Sequence, residues 1–211
     1  MSSGALISSS RARLPLSIAL AVTLLMAATY TALDVFQPVE PALSLLAFIP
    51  GGVSLLALAA AGLSRADLKL RFAPLSGRGA MALAAATLLL LPILGSNNGW
   101  AGWQWLPALV YAPASGIAQE LYFRCALLSG LERALAGRAR AALLLHAVLF
   151  IGFHLRTFRS ITAPAIMLLV ALVLFLGGLA WGWQVQRDRT AIWAMIQHSL
   201  FLMLMSLFAW G

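Results

Sequence analysis

Charge is what this chain has least of. Only 9% of its 211 residues are charged, where a soluble domain carries about a quarter. Hydrophobic residues make up 62% and the mean hydropathy is +0.94. A soluble protein of that composition has nothing with which to coat its surface, so the chain is expected to live in lipid. Acidic residues number six, and Lys69 is the single lysine, so the net charge of +8 is arginine charge. A basic soluble protein would raise nucleic acid as a partner. Here the arginines sit in short loops between apolar runs, where they read as topology signals and contacts for anionic headgroups, not as a nucleic-acid surface. The one cysteine, Cys125, excludes an intramolecular disulfide and reads as a small buried residue. There is no internal repeat, which weakens a transporter reading, and no linker long enough to separate two domains. Residues 1–211 are read as one membrane domain.

A membrane-crossing helix needs about 20 largely apolar residues. The chain divides into seven candidate spans: Leu14–Leu33, Ala42–Leu63, Gly79–Leu94, Trp103–Leu131, Ala139–His154, Pro164–Gln184 and Ala191–Trp210. The fold expected is therefore an all-α polytopic transmembrane bundle of about seven spans, or eight if the Pro107–Pro113 region breaks the fourth. Pro50-Gly51-Gly52 interrupts the second. Arg11 and Arg13 ahead of the first run resemble a signal peptide, but Tyr30 spoils the small-x-small cleavage pattern, so this run is taken as an uncleaved span.

With the N-terminus cytoplasmic, the inner segments collect Arg11, Arg13, Arg65, Lys69, Arg71, Arg78, Arg133, Arg138, Arg140, Arg187 and Arg189. The outer loops hold Arg156 and Arg159, with Asp34 and Glu40 in the first of them. That asymmetry obeys the positive-inside rule. Trp100, Trp103, Trp105 and Trp210 fit an outer aromatic belt and Trp193 the inner one. The expected location is a bacterial inner membrane. Gly178 and Gly182 form a small-xxx-small pair suited to close helix packing.

Against this background a few polar residues stand out. Gln119-Glu120-Leu121-Tyr122-Phe123-Arg124 puts a carboxylate and a guanidinium four positions apart, on one helix face, where they can pair. An ionised group in hydrocarbon costs at least about 2.5 kcal/mol, so such groups face a cavity or each other. His154 follows Phe150 by four positions and His198 lies on the last span. His146, two turns before His154, reads as glue to a neighbouring helix.

These segments resemble the CAAX-protease and bacteriocin-processing (CPBP, or Abi) family of intramembrane glutamate proteases. That family's motifs are E-E-x-x-x-R, F-x-x-x-H and H-x-x-x-N. Gln119 to Arg124 matches the first with one substitution, Phe150 and His154 match the second, and His198 begins the third. The resemblance covers roughly Trp103 to Gly211; the spans within 14–94 are unassigned by it. It implies an intramembrane endopeptidase that hydrolyses a peptide bond of a membrane-associated polypeptide by Glu/His-activated water, without a cofactor. Prenylated CAAX tails, bacteriocin-type leaders and C-terminal sorting segments are the substrate classes it suggests. Carried over by position, His154 positions water, His198 binds the oxyanion, Arg124 is a structural pairing residue, and Phe150 and Gln197 lie where they can contribute to binding.

Two positions depart from the pattern. Gln119 stands where the family's water-activating glutamate belongs, and Leu202 replaces the asparagine of the third motif. Asn97 and Asn98 are the only asparagines, both in an outer loop. An amide is no base, so Glu120 is the remaining candidate in that helix. It lies about 100° around from Gln119; a π-bulge, or the irregularity invited by Pro113, would rotate it inward. Gln119 or Gln197 can supply the lost oxyanion donor. The alternative is a catalytically degenerate relative that acts as a binding, immunity or scaffold protein. Ser115-Gly116 with His198 offers a rhomboid-like serine dyad without its usual context. His154, His198 and Glu120 are a possible His₂Glu zinc set without the H-E-x-x-H spacing. Span by span, Glu120 and His154 fall toward the outer half of the bilayer and His198 near the middle of its span, so the three point to a cavity reached from the outer half.

Overall fold

The computed structural model describes residues 13–36, 45–95, 105–159 and 161–207. Arg11, Glu40, Asn97, Asn98, Trp100, Trp103 and Trp210 lie outside the described residues, as do the side chains of Asp34 and Arg156. Every regular element among the described residues is helical: α1 (Leu16–Phe36), α2 (Phe48–Ala60), α3 (Gly77–Gly95), α4 (Ala112–Glu120), α5 (Ser129–Ala134), α6 (Ala139–Gly152), α7 (Leu155–Arg159), α8 (Pro164–Asp188) and α9 (Ile192–Ser206). The chain is all-α. Each of the seven apolar runs carries helix, because backbone polar groups amid hydrocarbon side chains are satisfied most simply within the helix itself.

Two boundaries differ from expectation. Pro50-Gly51-Gly52 does not interrupt a span; α2 starts at Phe48, and Pro50 sits in its first turn, where the missing N–H has no helical partner to lose. The helix closes at Gly62, whose φ of +95° suits glycine, while the Leu63 N–H reaches back to the Leu58 carbonyl at 3.0 Å. Nor does Pro107–Pro113 break the fourth run. A π-helical stretch (Pro107–Tyr111), α4, a second π-helical stretch (Leu121–Leu128) and α5 follow without interruption. Both prolines fall at N-terminal positions of their segments, where a missing N–H is tolerated.

By length and composition one described helix, Pro164–Asp188, is long and apolar enough to cross a membrane; the other apolar helices are shorter. Large apolar side chains nevertheless face outward around the molecule, among them Leu25, Leu56, Met81, Leu88 and Leu168. The run Tyr122–Leu131 is buried on all sides. This is the central helix, and α1, α2, α6 and α8 pack around it. Gly51 brings the α2 backbone against it, since a Cβ there would stand 3.4 Å from both Leu121 Cβ and Tyr122 N. Tyr122 donates its hydroxyl to the Thr23 carbonyl of α1 at 3.0 Å.

Helix ends from across the sequence are tied together at one end of the bundle. Leu14 N–H donates to Ala60 O (3.1 Å), and Ala191 N–H to Lys69 O (3.1 Å). Trp193 Nε1 donates to Ala73 O at 2.9 Å, Gln186 Nε2 to Ala139 O at 3.0 Å, and Ser76 N–H to Asp188 Oδ1 at 3.3 Å. Lys69 Nζ pairs with Glu132 Oε2 at 2.6 Å. Arg133 in the last turn of α5 and the loops bearing Arg65, Arg71, Arg138 and Arg189 therefore share this end. Lys69 corrects the charge reading: it is 1% exposed and holds Glu132 and the Asp67 carbonyl, so it contacts protein, not headgroups.

Candidate functional site

The site begins with a glycine. A Cβ on Gly116 would lie 2.8 Å from both Cα and N of Ser199, so α4 and α9 cross almost backbone to backbone. Ser199 Oγ donates to the Pro113 carbonyl at 3.1 Å, closing the same crossing. Glu120 stands one turn beyond Gly116, and His198 is next to Ser199. The crossing delivers them to each other: His198 Nδ1 lies 2.8 Å from Glu120 Oε1, with Glu120 fully buried and His198 nearly so.

Arg124 completes the pair expected from its spacing. Its Nη1 is 3.2 Å from the same Glu120 Oε1, and both side chains are fully buried. The π-helical stretch starts immediately after Glu120, so the inward rotation anticipated for this carboxylate coincides with a local widening of the helix. The guanidinium lies near three aromatic rings, 4.5 Å from the Phe150 centroid, 5.2 Å from Trp181 and 5.7 Å from Phe123. Away from water, such cation–π contacts are worth about 2 kcal/mol and help to hold a charge that hydrocarbon would reject.

A bracket around His198 escaped sequence reasoning. Trp181 of α8 stacks on the imidazole with ring centroids 4.8 Å apart and planes at 24°. Its indole N–H donates to the Gln197 side-chain carbonyl. The Gln197 amide in turn donates to Leu83 O at 2.7 Å and Thr87 Oγ1 at 2.6 Å, both on α3. Both its N–H groups are committed, so Gln197 has no donor to offer an oxyanion. The available signal was Trp181 between Gly178 and Gly182, a large amphipathic ring where small residues let helices close in.

His154 sits one ring further out. Its Nδ1 is 2.6 Å from the Phe150 carbonyl, an acceptor, so Nδ1 carries a proton. Its ring lies 4.4 Å from that of Phe150, which in turn contacts Arg124. Among the described residues no three His, Cys, Asp or Glu side chains are grouped to hold a metal, so Glu120, His154 and His198 form no three-donor set. Phe150 is buried between Arg124 and His154.

Gln119 is not part of the cluster. Half-buried, it donates Nε2 to Ser115 Oγ at 3.1 Å, on its own helix. Ser115 Oγ accepts that bond, Gly116 is explained by packing, and among the described residues no hydrogen bond joins Ser115 to His198. His146 corrects another expectation. It is fully buried, but neither ring nitrogen has a hydrogen-bond partner among the described residues, and it packs against Phe123 and Phe150 instead of bonding a neighbouring helix. Gly178 and Gly182 do pack a helix closely: added Cβ atoms would stand 3.3 Å from Phe150 and 2.5 Å from Leu143, both of α6. Cys125 is buried core.

Residues 101–204 match the family described as type II CAAX prenyl endopeptidase Rce1-like. That segment, just under half of the chain, is similar to the CAAX-protease family. The matched segment contains Gln119, Glu120, Arg124, Phe150, His154, His198 and Leu202, and leaves α1 to α3 outside it. No curated protein and no solved structure shows significant similarity to the chain. The buried Glu120–His198–Arg124 cluster lies inside the matched segment.

Proposed function

We propose that the protein is an intramembrane endopeptidase of CAAX-protease type, hydrolysing a peptide bond of a membrane-associated polypeptide with activated water. The observation that carries this reading is the Glu120–His198 pair at 2.8 Å, buried with Arg124 inside the segment that matches the family. A carboxylate bonded to an imidazole is a proton-handling device, and hydrolysis of an amide requires one. His154, its ring oriented by the bond from Nδ1 to the Phe150 carbonyl, is the residue we assign to positioning the water. The reaction needs no cofactor.

We further propose that the helices cross the bilayer repeatedly, about seven times, in a bacterial inner membrane with the N-terminus cytoplasmic. The gathering of loop arginines at one end of the bundle supports the orientation. The outward-facing leucines and methionines of α1, α2, α3 and α8 support contact with lipid. Helices of 13 to 15 residues, such as α2, α6 and α9, are short for a span, and local thinning of the bilayer accommodates such mismatch.

A second reading has its own support. Gln119 bonded to Ser115, and Leu202 in place of an oxyanion donor, favour a relative that holds a substrate helix without cutting it. One experiment separates the two. Wild type, His154→Ala and Gln119→Glu, reconstituted in lipid, are incubated with a panel of prenylated CAAX, leader-type and sorting-type peptides. Cleavage by wild type that disappears in His154→Ala supports the protease. Cleavage appearing only in Gln119→Glu supports the holder, and none in any variant removes the protease reading.

A further inference from the structure

We infer that His198 is the general base of this enzyme and that Glu120 is its positioning residue, the base having moved away from position 119. The inference rests on the protease reading above. Gln119 cannot accept a proton at working pH, and its amide is turned to Ser115 on its own helix. Glu120, the nearest carboxylate in sequence, is already engaged: its Oε1 is hydrogen-bonded to His198 Nδ1 at 2.8 Å and ion-paired with Arg124 Nη1 at 3.2 Å. An oxygen held between an imidazole and a guanidinium is suited to orienting and stabilising a charged partner.

What it orients is His198. A carboxylate accepting from Nδ1–H fixes the tautomer that leaves the lone pair on Nε2, which is the arrangement of a histidine base. Arg124, fully buried, stands 3.2 Å from the same oxygen and holds the carboxylate from its other side. Trp181 fixes the plane of the ring by stacking at 4.8 Å, and Gln197 holds Trp181, anchored in turn to Leu83 and Thr87. Four helices, α3, α4, α8 and α9, thus constrain one imidazole. No comparable bracket surrounds Gln119. An oxyanion donor, the role that family position suggests for His198, needs the proton on the atom that reaches the substrate; this geometry puts it on the other nitrogen.

In the step that follows, His198 Nε2 takes one proton from water as the water oxygen bonds to the scissile carbonyl carbon. The carbonyl π electrons move onto oxygen, and the imidazolium is stabilised by Glu120. Collapse of that intermediate expels the amide nitrogen, which takes the proton back from Nε2. The C–N bond breaks and the products are an acid and an amine. No oxidant or metal enters the balance.

The chain has three histidines, so ¹⁵N-histidine NMR of the full protein in nanodiscs is assignable with His146→Gln and His154→Gln. At the pH of cleavage His198 is expected to show a protonated Nδ1 and an unprotonated Nε2. In kinetics, His198→Gln lowers kcat about 1000-fold and Glu120→Gln about 100-fold, each with KM within about threefold, the range for losing a base and its orienting carboxylate. A proton on Nε2 of His198 in an actively cleaving wild type overturns the assignment while leaving the protease reading intact. So does a His198→Gln variant whose loss falls mainly on KM. Wild type that cleaves no peptide sinks both.

Discussion

Replacing Gly116 by alanine inserts one methyl group where α4 and α9 touch. The added Cβ meets Ser199 Cα and N at 2.8 Å and Ser199 Oγ at 2.9 Å. Two of these three atoms are backbone, so no side-chain rotation relieves the clash. Carbon atoms rest at about 3.5–4.0 Å, and the helices must separate by roughly 1 Å. Overpacking of this kind costs about 1–3 kcal/mol. The same displacement stretches the Glu120–His198 bond, and a 1 Å misplacement at a reacting group costs about 100-fold in rate. The expected result is a lowered unfolding midpoint in lipid nanodiscs, together with a roughly 100-fold loss of peptide cleavage. Gly52→Ala is the control, because nothing lies within 4 Å of a Cβ there; helix propensity alone should leave it as stable as wild type or slightly more so. Gly116→Ala that unfolds with the wild-type midpoint would refute the close crossing, whatever its activity.

At the basic end, Lys69→Met strands Glu132, which is 17% exposed, and is expected to cost about 2 kcal/mol, below the roughly 3–5 kcal/mol of a fully buried pair. Lys69→Met with Glu132→Leu should recover most of that in a double-mutant cycle, and a purely additive result would rule out the pairing. Asp67, in the loop after α2, accepts from Ser64 N–H (2.9 Å) and Ser64 Oγ (2.7 Å), which hold its carboxyl below the ordinary aspartate range. A depressed folded-state value means a contribution present above the ordinary range and lost as pH falls through the folded value. Asp67→Asn should therefore differ from wild type near neutrality and converge with it in acid, and a gap independent of pH would count against the mechanism. Finally, a cysteine at Arg156 in a Cys125→Ala background should react with an impermeant thiol reagent on intact cells; labelling only after lysis reverses the proposed topology.

Much of this was legible in the residues. Apolar runs gave the helices, because a hydrocarbon-rich segment satisfies its backbone locally and needs no distant partner. The i, i+4 spacing of Glu120 and Arg124 gave their pairing for the same reason: both lie on one helix, and helix geometry alone sets the distance. Gly178 and Gly182 signalled close packing, though not against which helix. Tertiary structure decided the rest. Nothing local predicts that Gly116 meets Ser199, that Trp181 covers His198, or that the Gln197 amide is spent on α3, since each depends on which helices cross and at what depth. The same holds for Lys69, a loop charge by sequence that becomes buried once Glu132 is brought to it. Sequence determined which groups are too polar for their surroundings. The crossing of α4 with α9 decided which of them meet, because a pair separated by 78 positions is joined only when the packing of everything between them is fixed.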